Sequence, residues 1–201
     1  MRSVNNSIKR DFLNKWVHPI VPNQRPKVID IGCGQGGDLH KWKSLNVVLT
    51  GVDPNPLAIE EARNRSRKIL SSAIYIVGTI EDVVYKNSYD YVCYNFSMQY
   101  EDPKNYWYIN TLLNTGGYLL GIMPDKTRFQ YAKDDGIILN EVSDCEVSVW
   151  IPDTPYYAGG PIVEPVISPD EFVSNMQRVG LTKIMFGEPF SIYSKFVFQK
   201  I

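Results

Sequence analysis

A run of apolar residues that ends in a glycine cluster constrains the fold more than any other feature of the chain. Val28-Ile29-Asp30-Ile31 leads directly into Gly32-Cys33-Gly34-Gln35-Gly36-Gly37. Glycines at this spacing permit a tight turn from a buried strand into a helix, with backbone N–H groups left facing a ligand. Further apolar runs at 47–53, 73–77, 89–96 and 117–123 alternate with helical stretches at 37–45, 56–70 and 103–113. Strands alternating with helices call for crossover units, and hence for a mostly parallel sheet covered on both faces. In the second helical stretch Pro56 suits the first turn, and Leu57, Ile59 or Ala58, Ala62 and Ile69 are predicted to face the sheet.

The last third departs from this rhythm. Residues 125–167 contain Asp134-Asp135-Gly136, Gly159-Gly160-Pro161 and several prolines, and read as a turn-rich insertion within a single domain spanning 1–201. Ser168 and Pro169 then supply a cap and a first position for a helix through Val179, with Gly180 placed to end it. The runs 183–190 and 195–201 complete the chain as a predicted strand pair.

Composition narrows the class. At 44% hydrophobic and 21% charged residues the chain is an ordinary folded protein. No apolar stretch approaches the roughly 18 residues that cross a membrane, and the first residues lack the apolar centre of a secretion signal. Cys33, Cys93 and Cys145 are too scattered for a disulfide frame or a metal site, so no metal is expected and a reducing compartment is the default. Lys plus Arg total 21 against 22 Asp plus Glu, a net charge of −1. That balance disfavours extended, non-specific grip on nucleic acid but leaves room for a small anionic end.

The glycine run also satisfies G-x-G-x-x-G, with Asp53 about 20 residues after Gly32, as in a dinucleotide site. It is compatible with a simple connecting turn, a nicotinamide or flavin site, or an S-adenosylmethionine site. Asp30 favours the last. A carboxylate two residues before the first glycine repels a pyrophosphate and suits an ammonium and sulfonium. Asp53 can accept from both ribose hydroxyls.

The stretch from Val28 to Leu39, followed by Gly51-Val52-Asp53, resembles the class I methyltransferases, and its Gly-Gly-Asp-Leu ending resembles the mRNA cap guanine-N7 methyltransferases. Asn5-Asn6-Ser7-Ile8-Lys9, Glu61-Ala62-Arg63-Asn64-Arg65 and Asn95-Phe96-Ser97-Met98-Gln99-Tyr100 are similar to segments of that family, in the same order. So are Gly121-Ile122-Met123-Pro124-Asp125, Glu164-Pro165-Val166 and the closing 193–200. The likeness covers nearly the whole chain. It implies a Rossmann-like α/β sandwich, with a mostly parallel seven-stranded sheet, an antiparallel last strand and helices on both faces.

The resemblance implies that Lys9, Asp30, Gly32, Gly34, Asp53, Thr79, Ile80 and Ser97 hold S-adenosyl-L-methionine, and S-adenosyl-L-homocysteine after transfer. It implies a cap pocket of Asn5, Arg65, Phe96, Gln99, Tyr100, Pro124, Glu164 and Tyr193, to which the insertion contributes. Two departures stand out. Gln99 replaces the family's histidine, and Gly78-Thr79-Ile80 lacks the acid found beside the adenine. The Ile80 backbone N–H is expected to serve the ring, with Thr79 contributing less.

Guanine N7 carries a lone pair and no proton, so direct displacement at a sulfonium methyl needs no general base. Positioning alone lowers such a barrier by several kcal/mol. No residue is therefore expected to act as acid or base. Phe96 by stacking, Tyr100 by placement and Glu164 by accepting guanine N1–H and the exocyclic amine together are expected to align the base. His18 and His40 lie outside the pocket segments. Arg63, Arg65, Arg67 and Lys68 cannot share one helical face, and Arg65 is the member assigned to the cap triphosphate. Tyr106, Trp107 and Tyr108 read as helix-to-sheet packing.

These expectations imply that the capped 5′ end of mRNA is the partner. They also imply triphosphatase and guanylyltransferase modules, fused or associated, as in the capping enzymes of some large DNA viruses. The location is intracellular, cytoplasmic for a viral chain and nuclear for a cellular one. The competing reading is a class I methyltransferase acting on a small molecule or another RNA position; an inactive binding subunit is the third.

Overall fold

The computed structural model describes residues 2–69, 71–84, 88–152 and 158–201. Along the chain these form α1 (Arg2–Trp16), β1 (Lys27–Ile31), α2 (Leu39–Ser44), β2 (Val48–Asp53), α3 (Pro56–Lys68) and β3 (Ile74–Val77). Next come β4 (Tyr89–Asn95), α4 (Tyr106–Leu112), β5 (Leu113–Pro124), β6 (Ile138–Ser143), β7 (Glu146–Trp150) and β8 (Ile162–Pro165). The chain ends with α5 (Pro169–Arg178), β9 (Leu181–Phe190) and β10 (Tyr193–Lys200).

The main sheet has seven strands in the order β3-β2-β1-β4-β5-β10-β9. Strands β1 to β5 pair in parallel, while β10 runs antiparallel to both β5 and β9. The predicted topology holds. Its cause is visible in the alternation along each strand, where successive side chains point to opposite faces. Val28, Cys93 and Leu120 enter one core with Leu13, Trp42 and Ile59 from α1, α2 and α3. Their neighbours Ile29, Val92 and Leu119 enter the other with Ile109 and Phe172 from α4 and α5. A strand buried on both faces reads as a continuous apolar run, which is why β1 was legible.

Helix α3 begins as its sequence requires. Asn55 caps it by accepting from the Leu57 and Ala58 N–H groups at 3.0 and 3.3 Å, and Pro56 takes the first position. The buried face is Ala58, Ile59, Ala62 and Ser66; Leu57 is 75% exposed, against prediction. At about 3.6 residues per turn, 58, 59, 62 and 66 share one stripe and 57 falls outside it. Leu70, the predicted end of this helix, lies outside the described residues. In α4, Tyr106 is buried, whereas Trp107 is 45% exposed and its ring lies tilted against that of Tyr108. Helix α5 starts at Pro169 and ends before Gly180, whose φ of +85° is the left-handed stop the sequence suggested. Ser168 holds the cap position without a side-chain bond.

Two features differ from the sequence reading. The stretch read as turn-rich contains a separate three-stranded antiparallel sheet, β6-β7-β8. Val147 and Val149 of β7 alternate inward and are buried, a period-2 signal that the surrounding turn residues obscured. Residues 153–157 of this stretch lie outside the described residues. The chain also opens with helix α1, whose Phe12 and Leu13 anchor it to the core.

Candidate active site

A cavity of about 1210 Å³ opens at the carboxyl ends of β1 and β4, where the strand order reverses, between the main sheet and the β6-β7-β8 sheet. In open α/β sheets this reversal of strand order creates a crevice for ligands. Of the predicted site residues, Asn5, Lys9, Gly32, Gly34, Asp53, Arg65, Thr79, Ile80, Phe96, Ser97, Gln99, Tyr100, Glu164 and Tyr193 line it. Asp30 and Pro124 do not.

The glycine loop forms one wall. Gly32 has φ +73°, and a Cβ there would lie 2.4 Å from the Cβ of Ser97, whose hydroxyl donates to the Ile31 carbonyl at 2.6 Å. Gly32→Ala is therefore expected to destabilise the fold by about 1–3 kcal/mol, read from the urea midpoint at unchanged slope; an unaltered midpoint would contradict the close approach. At Gly34 and Gly37 an added Cβ would meet nothing within 4 Å, so these backbones present open space to a ligand. Asp53 holds the loop's shape, accepting from the Gly34 N–H at 2.8 Å and the Asn55 N–H at 2.9 Å. Each carboxylate oxygen retains acceptor capacity toward the cavity.

Asp30 sits beneath this loop, 5% exposed, where its carboxylate accepts from the Trp42 indole N–H at 2.9 Å. Burial, reinforced by the charge of Asp38 and opposed by Trp42 and Lys9, pushes its carboxyl up to about 7. The sequence reading placed Asp30 in contact with a ligand; in the structure its side chain is buried and lies outside the cavity lining. Pro124 likewise stands behind the pocket, paired across the strands with Tyr193.

The sequence reading gave Asp38 no role, yet it organises the floor. Its carboxylate pairs with the Lys9 ammonium at 2.7 Å and the Lys41 ammonium at 2.8 Å, and accepts from the Asn95 amide at 3.3 Å. Lys41 also donates to Asn6 at 3.0 Å. Burial alone would raise the Asp38 carboxyl, but the two ammoniums outweigh it and hold it below the usual range. The available signal was its place in the Gly-Gly-Asp-Leu ending, an acid at the mouth of a glycine loop.

The opposite wall is aromatic. Phe96 adopts φ +64°, unusual for a bulky residue, which turns its ring out of β4 into the cavity. Tyr193 meets it edge-on at 4.8 Å, Phe190 stands at 6.4 Å, and the Lys9 ammonium lies 5.1 Å from the ring centre. Glu164 enters from β8, only 7% exposed, in register with Val147. Gln99 is buried; its amide donates to the Phe96 carbonyl at 3.2 Å, and its own carbonyl oxygen has no partner among the described residues. Tyr100 is half exposed at the rim.

Among the four basic residues of α3, Arg65 alone lines the cavity, steadied by Glu61 at 2.8 Å and Gln35 at 3.2 Å. Arg63 donates instead to the Tyr75 carbonyl and Arg67 to Asn64. Thr79 directs its N–H and hydroxyl to Asp82, at 2.8 and 3.3 Å. Neither His18 nor His40 lines the cavity. Among the described residues no His, Cys, Asp and Glu group has the arrangement of a metal site, and no helix is long and apolar enough to cross a membrane.

The strand order, the glycine loop and the carboxylate closing β2 define a class I methyltransferase fold. An S-adenosylmethionine-dependent methyltransferase from Mesorhizobium loti superposes with a TM-score of 0.69 at 12% identity, covering 94% of this chain and 96% of that one. Residues 1–78 match the mRNA (guanine-N(7))-methyltransferase domain family. The mRNA cap guanine-N(7) methyltransferase of Caenorhabditis briggsae is 30% identical over 159 residues, 68% of this chain and 42% of that protein. The enzyme of that name from Caenorhabditis elegans is 26% identical over 175 residues, 74% of this chain and 45% of its own length. By sequence the chain belongs with the mRNA cap guanine-N7 methyltransferases, and it spans less than half the length of these two relatives.

Proposed function

We propose that this chain binds S-adenosylmethionine and a capped RNA end in the one cavity and methylates guanine N7, converting GpppN to m7GpppN. The observation that carries the reading is the arrival of Glu164, from the small sheet, on the same cavity as the glycine loop and the Phe96–Tyr193 pair. Bound S-adenosylmethionine would supply an electrophilic methyl group to the N7 lone pair, with its sulfur as the leaving group that keeps the electron pair. The glycine loop and Asp53 suit the adenosine part, and Asp30, when ionised, provides negative field for a cationic ligand. Phe96 and Tyr193 hold a planar base, and the Glu164 carboxylate matches the two donors on the guanine edge. N7 has no proton to surrender, so the residues' work is alignment and exclusion of water.

Incubation with labelled methyl donor and GpppA or capped RNA tests this directly. Transfer to a small metabolite but not to GpppA would overturn it. Glu164→Ala is expected to reduce cap methylation at least a hundredfold while leaving S-adenosylhomocysteine affinity within about twofold, because truncating a charge-assisted paired contact removes about 3 kcal/mol or more. Equal loss of both would make Glu164 structural. The near-neutral charge supports a site for one RNA end, with triphosphatase and guanylyltransferase activities on fused or associated modules. An intracellular setting follows from that role, cytoplasmic for a viral chain and nuclear for a cellular one.

A further inference from the structure

The base of a bound adenosine needs an acceptor for its exocyclic amine, and after β3 the cavity lining offers the Thr79 hydroxyl, already engaged with Asp82, and the exposed Glu81. The Thr79 hydroxyl and N–H are both directed to Asp82. Glu101 follows the single turn Met98–Tyr100 and lines the same cavity as Thr79 and Ile80. One of its carboxylate oxygens accepts from the Tyr94 hydroxyl at 2.9 Å and the other from the Asn105 amide at 3.0 Å. Both donors are neutral. Among the described residues no ammonium or guanidinium lies within ion-pair distance of Glu101; Lys104, nearby in sequence, pairs with Asp102 at 2.9 Å.

We propose that Glu101 accepts a hydrogen bond from the exocyclic amine of the methyl donor's adenine and so sets the base specificity of the donor site. This rests on the cavity being an S-adenosylmethionine site, as proposed above. A ribose held at Asp53, at the end of β2, directs the base toward the β3 and β4 loops, because the Phe96–Tyr193–Glu164 end is committed to the cap. Tyr94 and Asn105 fix the carboxylate from two sides with the Asp102 backbone as a third donor, and a carboxylate's acceptor positions, about four in all, are not filled by these three. Partial burial without a cation raises the Glu101 carboxyl above its usual range, and a neutral N–H donor relieves part of that desolvation. Glu101 thus presents acceptors to an amine. Against the 6-carbonyl of hypoxanthine it sets lone pair against lone pair.

The test is calorimetric titration of the intact chain with S-adenosylhomocysteine and with S-inosylhomocysteine, which carries a carbonyl in place of the amine. The wild-type chain is expected to prefer the adenine compound by roughly ten- to a hundredfold, the range of a hydrogen bond to a charged group. Glu101→Gln, whose amide can donate as well as accept, is expected to bring the two affinities within about threefold. Tyr94→Phe, which removes one of the orienting donors, is expected to erode the preference several-fold, and it provides a second reading should the first variant fold poorly. Full preference retained in Glu101→Gln, or lost in Glu81→Gln instead, overturns the assignment. Failure of the wild-type chain to bind S-adenosylhomocysteine at all overturns the cofactor reading itself, a distinguishable result.

Discussion

Asp38→Ala is expected to be the most destabilising single substitution at the site, lowering the unfolding free energy by about 3–5 kcal/mol. The side chains of Asp38, Lys9 and Lys41 are 9%, 13% and 7% exposed, so removing the carboxylate leaves two ammoniums largely out of water without their counter-charge. Asn95 loses an acceptor as well. Asp38→Asn keeps the shape and one acceptor, and is expected to lose less. A urea unfolding curve at neutral pH measures both. A change below about 1 kcal/mol for Asp38→Ala would mean that the lysines reach solvent on their own, and that the network contributes little. Because Asp38 faces the cavity between α1 and the glycine loop, ligand affinity is expected to fall along with stability.

Asp30→Asn is expected to act in the opposite direction on stability. The folded chain holds the Asp30 carboxyl near 7 against an ordinary value of 3.8, chiefly by burial. A raised value means that the folded state favours the protonated form. The corresponding stability is fully present below about pH 4 and is lost as pH rises through about 7. An asparagine avoids the buried charge and can still accept from Trp42. The variant is expected to be more stable than wild type above pH 7, by an amount on the order of a few kcal/mol, with the difference shrinking to nothing toward pH 4. Ligand binding is expected to follow the reverse order. A cation in the cavity prefers ionised Asp30, so wild-type affinity for S-adenosylhomocysteine should rise as pH passes through 7, and the variant should lack that rise. Parallel melting curves and calorimetry across pH 5–9 read both effects. A variant no more stable at pH 8, or one whose affinity tracks wild type with pH, would place the Asp30 charge outside both equilibria.

The two acids also mark how far residues along the chain announce their roles. Asp30 and Asp53 were legible because each stands at or next to the end of an apolar strand run, Asp30 just ahead of the glycine turn, a local pattern that needs no knowledge of distant contacts. The same is true of the strand order, since alternating apolar strands and helices leave few ways to cover a parallel sheet on both faces. Asp38 was not legible as the hub of a buried network, because Lys9 and Asn95, 29 and 57 residues away, meet it only in the fold. The three-stranded sheet was hidden for a related reason. Each of its strands is short, and β8 joins β7 across a long connection, so pairing rather than local propensity holds it. Leu57 misled because at the first turn of a helix a single apolar residue can fall on either side of the buried stripe.

What the sequence determined by itself is therefore the framework: the glycine loop, the mostly parallel sheet, the acid closing β2, and the set of residues that resemble a cap pocket. Tertiary structure alone decided which of those residues share a cavity. It turned Phe96 inward through a left-handed backbone, brought Glu164 over from a second sheet, and set Asp30 and Pro124 behind the walls. The cavity is lined by Arg65, the one member of the α3 basic cluster that the resemblance had already assigned to it. The physical reason is that hydrophobic periodicity is written locally, one residue after another. The environment of a charge depends instead on burial and on partners supplied by distant parts of the chain.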